Sequence, residues 1–420
     1  MTSLGIGLIG TGFMGKCHAL AWHAVKGTFG DVPTPRLEIL CDLDAEQAKL
    51  RADQFGFGRA TANWRDVIND PKVDIVSITA PNSDHREMAL AALAAGKHVW
   101  CEKPMALTLA DAEAMAAAAA KAKGRTLLGY NYAQNPAIGH AKRLIEGGEI
   151  GRVLHFRGTV DEDYMADGDL PWSWRCRLET AGLGVLGDIM CHLVSIALHL
   201  VGPIESVSAD IDTAYKRRPV PNEPGKTGEV ENEDIAQAVV RFKSGFTGVL
   251  AASRVAWGRK NHLAWEVHGS RGNLICDQER MNELQLFTAE GAEGTRGFRT
   301  ILTGPLHQPY DRFCPAPGHG LGFNDLKVME AAHFLRVITA QGEPGGETPL
   351  IDFARGLYIE RVIHGIAESA TSGKWVRFVL LFFFCFWSAM AYHPLFFFFC
   401  SPKIRGWSAF ADHDSKVQWT

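Results

Sequence analysis

The sequence predicts an α/β protein in which an N-terminal, doubly wound parallel sheet is followed by a C-terminal α+β part with a large, mostly antiparallel, open sheet. Over residues 1–129, short apolar runs alternate with helical patterns, which is typical of parallel βαβ units with right-handed crossovers. Over residues 130–377, strand-like runs follow one another through hairpin turns instead. With 420 residues, the chain is long enough to build both parts.

The first part is predicted to contain five strands and four helices. The strands are residues 4–10, 37–41, 73–79, 98–101 and 127–130. The first helix ends at Val25, and the others are residues 45–55, 85–95 and 109–123. The last helix is rich in alanine, the strongest helix former, and ends at Gly124.

The second part is predicted to begin with a helix, a strand and a helix, at residues 137–146, 153–159 and 187–200. Three long strands follow, at residues 235–242, 247–255 and 263–269, the last with residues 274–276. Hairpin turns at residues 243–245 and 270–273 indicate antiparallel pairing. Residues 215–233 and 291–322 are predicted loops, and helices at 325–340 and 352–369 close the fold.

Composition argues against several classes of protein. The net charge is −4 and the pI about 6.5, so no basic field attracts nucleic acid. The nine cysteines form no CxxC pair, which argues against a zinc site and a disulfide framework. The N-terminus lacks the basic segment and cleavage site of a secretory signal. We therefore expect a soluble, cytoplasmic protein.

Residues 378–420 depart from this composition. Residues 378–399 contain 9 of the 23 phenylalanines, and no charged residue occurs between Arg377 and Lys403. The length suffices for a membrane-spanning helix, so an anchor at residues 378–400 is one interpretation. The one we favour is a translated non-coding or frame-shifted end, because a pyrimidine-rich tract encodes runs of phenylalanine. We expect no membrane partner unless the segment is genuine.

A glycine-rich turn follows the first strand and opens the first helix. Its GxGxxG spacing lets the turn tighten and the backbone approach a pyrophosphate, whose charge the helix N-terminus favours. Because both flanks agree with a βαβ unit, the turn predicts dinucleotide binding. The residues expected to bind are Gly10, Gly12, Phe13, Met14 and Gly15.

The second strand is followed by Asp42. A carboxylate there accepts hydrogen bonds from the adenosine ribose and repels a 2′-phosphate, which favours NAD over NADP. Asp42 lies 27 residues beyond Gly15, where about 20 is usual, and the loop at residues 30–35 accounts for the excess. Asp44 is the rival assignment, and capping the next helix is the purely structural alternative.

Lys103 comes just after the fourth strand and is followed by Pro104. This is the carboxyl edge of the sheet, where ligands bind in open α/β folds. A buried ammonium there can hold a substrate hydroxyl, and it can take part in proton transfer if its pKa is depressed. The alternative is an ordinary solvated loop.

Asp188 and His192 lie four residues apart in an otherwise apolar helical run, so they share one helix face. A carboxylate beside an imidazole orients its tautomer and raises its basicity, as a general base requires. The alternatives are a helix N-cap for Asp188 and a core histidine for His192. No third ligand sits at a suitable spacing, so we expect no metal site.

Together, GTGFMG, APNSDHREMALAALAAGKHVWCEKP and GLGVLGDIMCH resemble the Gfo/Idh/MocA oxidoreductases, and the likeness extends from about residue 4 to 376. It is strongest to members of the levoglucosan dehydrogenase and inositol 2-dehydrogenase types. The segment ending in CEKP is far more specific to that family than the glycine motif. The resemblance implies a Rossmann NAD-binding domain at 1–129 and an α+β substrate and oligomerisation domain at 130–377.

The resemblance also implies roles for individual residues. Lys103 contacts the reacting hydroxyl, and His192 accepts its proton in oxidation. Residues implied to line the cofactor are Thr79, Pro81, Asn82, His85, Glu102, Lys103, Asn131, Trp174 and Arg175. Residues implied to contact substrate are Lys103, Tyr132, Tyr164, Arg175, Asp188 and His192.

The predicted activity is an NAD-dependent dehydrogenase that oxidises a secondary ring hydroxyl of a sugar, anhydrosugar or cyclitol to a ketone by hydride transfer. A levoglucosan-like anhydrosugar, or a glycoside oxidised at C3, is the favoured substrate. The alternatives are a non-catalytic NAD-binding sensor or scaffold, and an NADP-dependent sugar ketone reductase. The family resemblance implies a homo-dimer or homo-tetramer formed through the C-terminal sheet.

Overall fold

The first sheet of the computed structural model, which describes residues 3–339 and 348–378, has six parallel strands. They are β1 Ser3–Ile9, β2 Thr34–Cys41, β3 Arg59–Thr61, β4 Ile75–Ile78, β5 His98–Cys101 and β6 Thr126–Leu128, in the order β3-β2-β1-β4-β5-β6. All four residues of β4 are buried, as expected for parallel strands covered on both faces. The strand order reverses between β1 and β4, so their carboxyl ends border a crevice.

Five helices lie between successive strands of the first sheet. They are α1 Phe13–Phe29, α2 Ala45–Phe55, α3 Trp64–Asn69, α4 His85–Ala94 and α5 Leu109–Lys121. The five predicted strands are all present. The short strand β3 and helix α3 were missed, because three and six residues are too few to show a hydrophobic period.

The second sheet has nine strands, and a separate two-stranded ribbon lies outside it. The strands of this half are β7 Val153–Asp161, β8 Ile204–Asp212, β9 Arg217–Pro219, β10 Thr227–Glu229, β11 Ile235–Phe242, β12 Thr247–Ser253, β13 His262–Gly269, β14 Gly272–Asp277, β15 Glu283–Thr288, β16 Arg299–Leu302 and β17 Val376–Arg377. The sheet order is β16-β15-β14-β13-β7-β12-β11-β8-β17, and β9 pairs with β10. Among the described strands of this sheet, β7 and β12 pair in parallel and all other neighbours are antiparallel.

The open sheet confirms the predicted fold class, but two predicted loops were wrong. Residues 215–233 contain the ribbon, and residues 291–322 contain β16. The strands β8 and β15 were also missed. These elements are short or carry many polar residues, so their alternation is weak in the sequence.

The remaining helices cover the inner face of this sheet and return to the first one. They are α6 Pro136–Glu146, α7 Leu178–Ala181, α8 Cys191–Val201, α9 Phe323–Ile338 and α10 Phe353–Ser372. Helix α8 packs on β7, and α10 packs on β8 and on α5. Helix α9 packs along α1, and its Leu326 and Met329 share a core with Ile6 and Trp22.

Every residue of α8 is buried, so this helix has no polar face. A π-helical turn at Leu186–Met190 leads into it. The segment Leu178–Val201 is apolar and long enough to cross a membrane, but 89% of its most apolar window is buried inside the described part of the protein. It is therefore a core helix.

The predicted tail begins at Phe378, which is the last residue that the structure describes. Phe378 donates its N–H to the carbonyl oxygen of Glu205 at 2.9 Å and groups with the preceding residues. The rest of the tail, residues 379–420, lies outside the described residues, so both interpretations of residues 378–420 stay predictions. The domain boundary at 129/130 stays a prediction.

Candidate active site

A cleft of about 930 Å³ opens at the carboxyl ends of the first-sheet strands and is closed on its other side by residues of the second half. All but one of the predicted site residues line it. They are Gly10, Gly12, Phe13, Met14, Asp42, Thr79, Pro81, Asn82, His85, Glu102, Lys103, Asn131, Tyr132, Tyr164, Trp174, Arg175, Asp188 and His192. The exception is Gly15, which supports the turn from behind.

The glycine turn has the geometry that a dinucleotide requires. Gly10 has φ +95°, a conformation that side chains disfavour. A Cβ on Gly15 would lie 2.2 Å from the carbonyl oxygen of Gly10, so only glycine lets α1 approach the turn. Gly12 caps α1 without a side-chain hydrogen bond, and a Cβ there would have no atom within 4 Å. The helix N-terminus therefore opens on free space, which fits a pyrophosphate.

Asp42 and Asp44 have different surroundings. One carboxylate oxygen of Asp42 accepts hydrogen bonds from the backbone N–H and hydroxyl of Thr11, and the other accepts from the N–H of Leu43. Asp42 is thus fixed at the end of β2, beside the glycine turn. Asp44 caps α2 by accepting from the N–H of Gln47 at 2.8 Å. This geometry favours Asp42 as the ribose ligand and gives Asp44 the structural role.

Three residues behind the turn tie its loops together. The Thr79 hydroxyl contacts the carbonyl oxygens of Ile9 and Gly10 at 3.0 and 2.9 Å. The two ring nitrogens of His85 lie 2.9 Å from the carbonyl oxygen of Pro104 and 3.0 Å from that of Ala80. Asn82 donates to the carbonyl oxygen of Ala181 at 3.1 Å. The contacts of Thr79 and His85 hold the loops of the first half together, and that of Asn82 joins them to α7 across the cleft.

Lys103 and Asp188 form an ion pair in the cleft. The Lys103 Nζ donates to the Asp188 carbonyl oxygen at 2.6 Å and to its Oδ1 at 3.1 Å. Burial alone would lower the pKa of Lys103, but attraction by Asp188 raises it above the usual value. Burial would raise the pKa of Asp188, but Lys103 holds it well below its usual range. Lys103 is therefore a cation, and the depressed pKa that proton transfer requires is absent.

Asp188 does not orient His192, contrary to the interpretation of their spacing. Its Oδ2 accepts from the Tyr164 hydroxyl at 2.5 Å and lies 3.9 Å from the Arg175 Nε. The full charge of Lys103 is a stronger partner for a carboxylate than a neutral imidazole is. In addition, Asp188 lies in the π-helical turn, which departs from the α-helical spacing.

His192 is a neutral imidazole at the cleft wall. Burial, and then repulsion by Lys103, lowers its pKa well below the usual value. Its Nδ1 is buried and has no hydrogen-bond partner among the residues that the structure describes. The rings of Tyr132 and Tyr130 pack edge-on against it, with centroids 4.6 and 5.5 Å away. A neutral imidazole facing the cleft can accept a proton.

The remaining predicted residues frame the same end of the cleft. The Tyr132 hydroxyl accepts from the Asn261 side-chain amide at 2.8 Å. Arg175 stacks on the exposed Trp174, with its guanidinium carbon 4.4 Å from the ring centroid. The Asn131 amide nitrogen is buried and has no partner in the described part of the chain. An unpaired buried donor in a cleft fits a ligand with a carbonyl or hydroxyl group.

Glu102 lies in a buried network behind Lys103. Its Oε1 accepts from Lys327 of α9 at 2.6 Å and from His18 of α1 at 2.8 Å. Burial would raise the pKa of Glu102, but Lys327 and His18 hold it well below its usual range. The Oε2 of Glu330 lies 2.8 Å from the Lys327 Nζ and so belongs to the same network. Burial lowers the pKa of His18 to about 4 and raises that of Glu330 to about 8. At neutral pH the network therefore holds one positive and one negative charge, on Lys327 and Glu102.

Sequence reasoning missed two charged residues of this region, Lys327 and Glu162. Lys327 stands between Leu326 and Val328 on the helix predicted at residues 325–340, and a charge between apolar neighbours could have indicated a buried pair. Glu162 directly follows β7 and lines the cleft. The role of Asp42 was predicted from its position at the end of a parallel strand. The same signal did not point to Glu162, because the carboxyl ends of antiparallel strands do not lie at one edge of the sheet.

Comparison with known proteins places the whole described chain in one family. Residues 4–130 match the oxidoreductase family with an NAD-binding Rossmann fold. Residues 138–275 match the GFO/IDH/MocA C-terminal domain. The first match covers the first sheet, and the second match covers the second sheet up to β14 but not β15, β16 and β17.

Individual relatives match between 69% and 90% of the chain. Levoglucosan dehydrogenase of Pseudarthrobacter phenanthrenivorans is 38% identical over 388 residues, which are 90% of this chain and 98% of that enzyme. Myo-inositol 2-dehydrogenase of Thermotoga maritima is 30% identical over 293 residues, 69% of this chain and 80% of that enzyme. The solved complex of a levoglucosan dehydrogenase with NADH and levoglucosan superposes with a TM-score of 0.85 at 38% identity, covering 90% of this chain and 99% of that chain.

Proposed function

Because this chain belongs to the Gfo/Idh/MocA family of NAD-binding oxidoreductases, we propose that it oxidises one secondary ring hydroxyl of an anhydrosugar such as levoglucosan, or C3 of a glycoside, to a ketone. It is an NAD-dependent dehydrogenase of sugar or cyclitol hydroxyl groups. The observation that supports oxidation of a hydroxyl group is the presence of a lysine cation and a neutral histidine in one cleft with the glycine turn. The choice of an anhydrosugar is supported by the similarity to levoglucosan dehydrogenase.

The residues divide the chemistry between them. When bound, NAD⁺ supplies the hydride acceptor. His192 accepts the hydroxyl proton at Nε2, since its Nδ1 is enclosed by protein. Lys103 donates a hydrogen bond to the oxygen on which negative charge develops, which lowers the barrier electrostatically. Asp188 holds Lys103 in place and keeps it charged, and Tyr164 in turn holds Asp188.

A panel of polyols tests this proposal. The purified full-length chain is mixed with NAD⁺ and anhydrosugars, glycosides and cyclitols, and formation of NADH is followed by absorbance. We expect turnover of at least one neutral polyol, with an anhydrosugar or glycoside preferred over inositols. Binding of NADH without turnover of any polyol would instead support the sensor.

Replacing Asp42 with alanine tests the choice of cofactor. The change removes the carboxylate that accepts from the ribose and repels a 2′-phosphate, so we expect the ratio of kcat/KM for NAD over NADP to fall by about tenfold or more. The matched control is Asp44→Ala, which removes a helix cap at a cost of about 1 kcal/mol and leaves the ratio unchanged. The reverse pattern would assign the ribose to Asp44.

Assembly and location complete the proposal. The outer face of the second sheet exposes Val239 and Val249, which are directly opposite on β11 and β12 and 46% and 36% exposed. Such an apolar pair supports a homo-dimer or homo-tetramer through this face. We propose a cytoplasmic location because the relatives are metabolic dehydrogenases. Light scattering of the full-length chain measures the assembly, and cell fractionation measures the location.

A further inference from the structure

We propose that Glu162 selects neutral polyols, because its carboxylate accepts hydrogen bonds from ring hydroxyl groups other than the one that is oxidised. The inference rests on the proposed function, since it needs a sugar or cyclitol in the cleft. Glu162 is half-buried and lines the same cleft as Lys103 and Asp188. Neither the predicted residues nor the proton-transfer scheme uses it.

The backbone of Glu162 is fixed on both sides. Its N–H donates to the carbonyl oxygen of Ser253 at 2.8 Å, and its own carbonyl oxygen accepts from the N–H of Ala256 at 3.0 Å. The neighbouring Asp163 is committed to the Lys260 ammonium at 2.6 Å. The backbone that carries Glu162 is therefore held in place at the end of β7. A residue that determines substrate specificity needs a rigid backbone of this kind.

Glu162 is the carboxylate near Lys103 that still has free acceptors. Glu102, Glu162 and Asp188 all interact with the Lys103 charge. Asp188 is occupied by Lys103 and Tyr164, and Glu102 is occupied by Lys327 and His18. Within residues 3–339 and 348–378, the carboxylate of Glu162 has no hydrogen-bond partner. Its two oxygens are therefore available to hydroxyl donors of a ligand.

The charge state of Glu162 decides which ligands it accepts. Burial, and then repulsion from Asp188, raises its pKa to about 7. Above this pH the ionised carboxylate is the stronger acceptor for hydroxyl groups. A ligand that carries a carboxylate or phosphate at the same place would meet a like charge in a partly buried cleft. The arrangement therefore favours neutral polyols over uronates, aldonates and sugar phosphates.

Glu162→Gln removes the charge while keeping the size of the side chain. At pH 8 we expect the KM for a neutral polyol to rise by about tenfold or more with kcat within about threefold, the pattern of a lost binding contact. In the wild type, KM is expected to fall as the pH rises through about 7, and the variant is expected to lose this step. An unchanged KM and an unchanged pH profile would overturn the inference.

Selectivity gives a second readout. Methyl glucoside and methyl glucuronide differ only in a hydroxymethyl group against a carboxylate. We expect the wild type to favour the neutral glycoside and Glu162→Gln to reduce that preference by about tenfold or more. Glu162→Asp keeps the charge on a shorter side chain, so it is expected to raise KM but to retain the preference and the pH step. A preference that is equal in all three proteins would contradict the proposal.

Controls separate this inference from folding and from the proposed function. Glu179→Gln removes an exposed carboxylate that pairs with Arg177 outside the cleft and is expected to change neither KM nor selectivity. NADH affinity and the unfolding temperature of Glu162→Gln are expected to match the wild type. If the wild type oxidises no polyol, the proposed function fails. If the wild type is active and Glu162→Gln behaves like it, only this inference fails.

Discussion

Replacing Lys103 with alanine is expected to lower kcat by about 100-fold or more while leaving the affinity for NADH within about threefold of the wild type. The ammonium is kept charged by Asp188, 3.1 Å away, so its loss removes the cation that stabilises a developing alkoxide. Stopped-flow or steady-state absorbance measures turnover, and quenching of NADH fluorescence measures cofactor affinity.

Two further measurements distinguish a lost ammonium from a disturbed cleft. Added methylamine is expected to restore part of the turnover of Lys103→Ala, because a small ammonium can occupy the space that the side chain leaves. Lys216→Ala, which removes an exposed lysine paired with Asp212, is expected to turn over like the wild type. Full activity of Lys103→Ala would show that the lysine has no part in the reaction.

Replacing Lys327 with methionine is expected to destabilise the protein by about 3–5 kcal/mol, the usual cost of leaving one member of a buried ion pair without its partner. Lys327 is fully buried and donates to Glu102 at 2.6 Å. Without it, Glu102 keeps two uncharged hydrogen-bond donors, the His18 ring at 2.8 Å and the backbone N–H of Lys103 at 3.4 Å. Urea unfolding followed by circular dichroism measures the loss.

The matched control is an exposed pair. Lys226 contacts Glu223 at 2.7 Å on the surface, so Lys226→Met is expected to cost less than about 0.5 kcal/mol. Combining Lys327→Met with Glu102→Gln removes both buried charges and is expected to recover part of the stability. Equal losses in Lys327→Met and Lys226→Met would contradict a role for the buried pair.

The doubly wound sheet could be predicted because its strands are short, apolar runs separated by helices, as at β4 and β5. The glycine turn could be predicted because the glycines that shape it lie together in the sequence, between Gly10 and Gly15. The ribbon and β16 could not, because their residues are mostly polar and exposed, so no apolar run marks them in the sequence. The same holds for β8, whose polar residues mask its alternation.

Most of the reactive residues of the cleft could be predicted, with the exception of Glu162, but not all of their partners. The motifs indicated Lys103, Asp188 and His192, and all three line one cleft. Sequence spacing suggested that Asp188 serves His192, whereas the structure pairs it with Lys103, 85 residues earlier in the chain. Lys327 reaches Glu102 across 225 residues. Pairings at such separations depend on the fold, which a local pattern does not contain.

The return of α9 to the first sheet limits how this protein can be divided. A graft of residues 1–129 onto another scaffold would carry Glu102 away from Lys327, its counter-charge. Residues 1–129 are therefore not expected to be stable when they are transferred alone, although they contain all six strands of the first sheet. Chimaeras between relatives would have to exchange Phe323–Ile338 together with the amino-terminal segment.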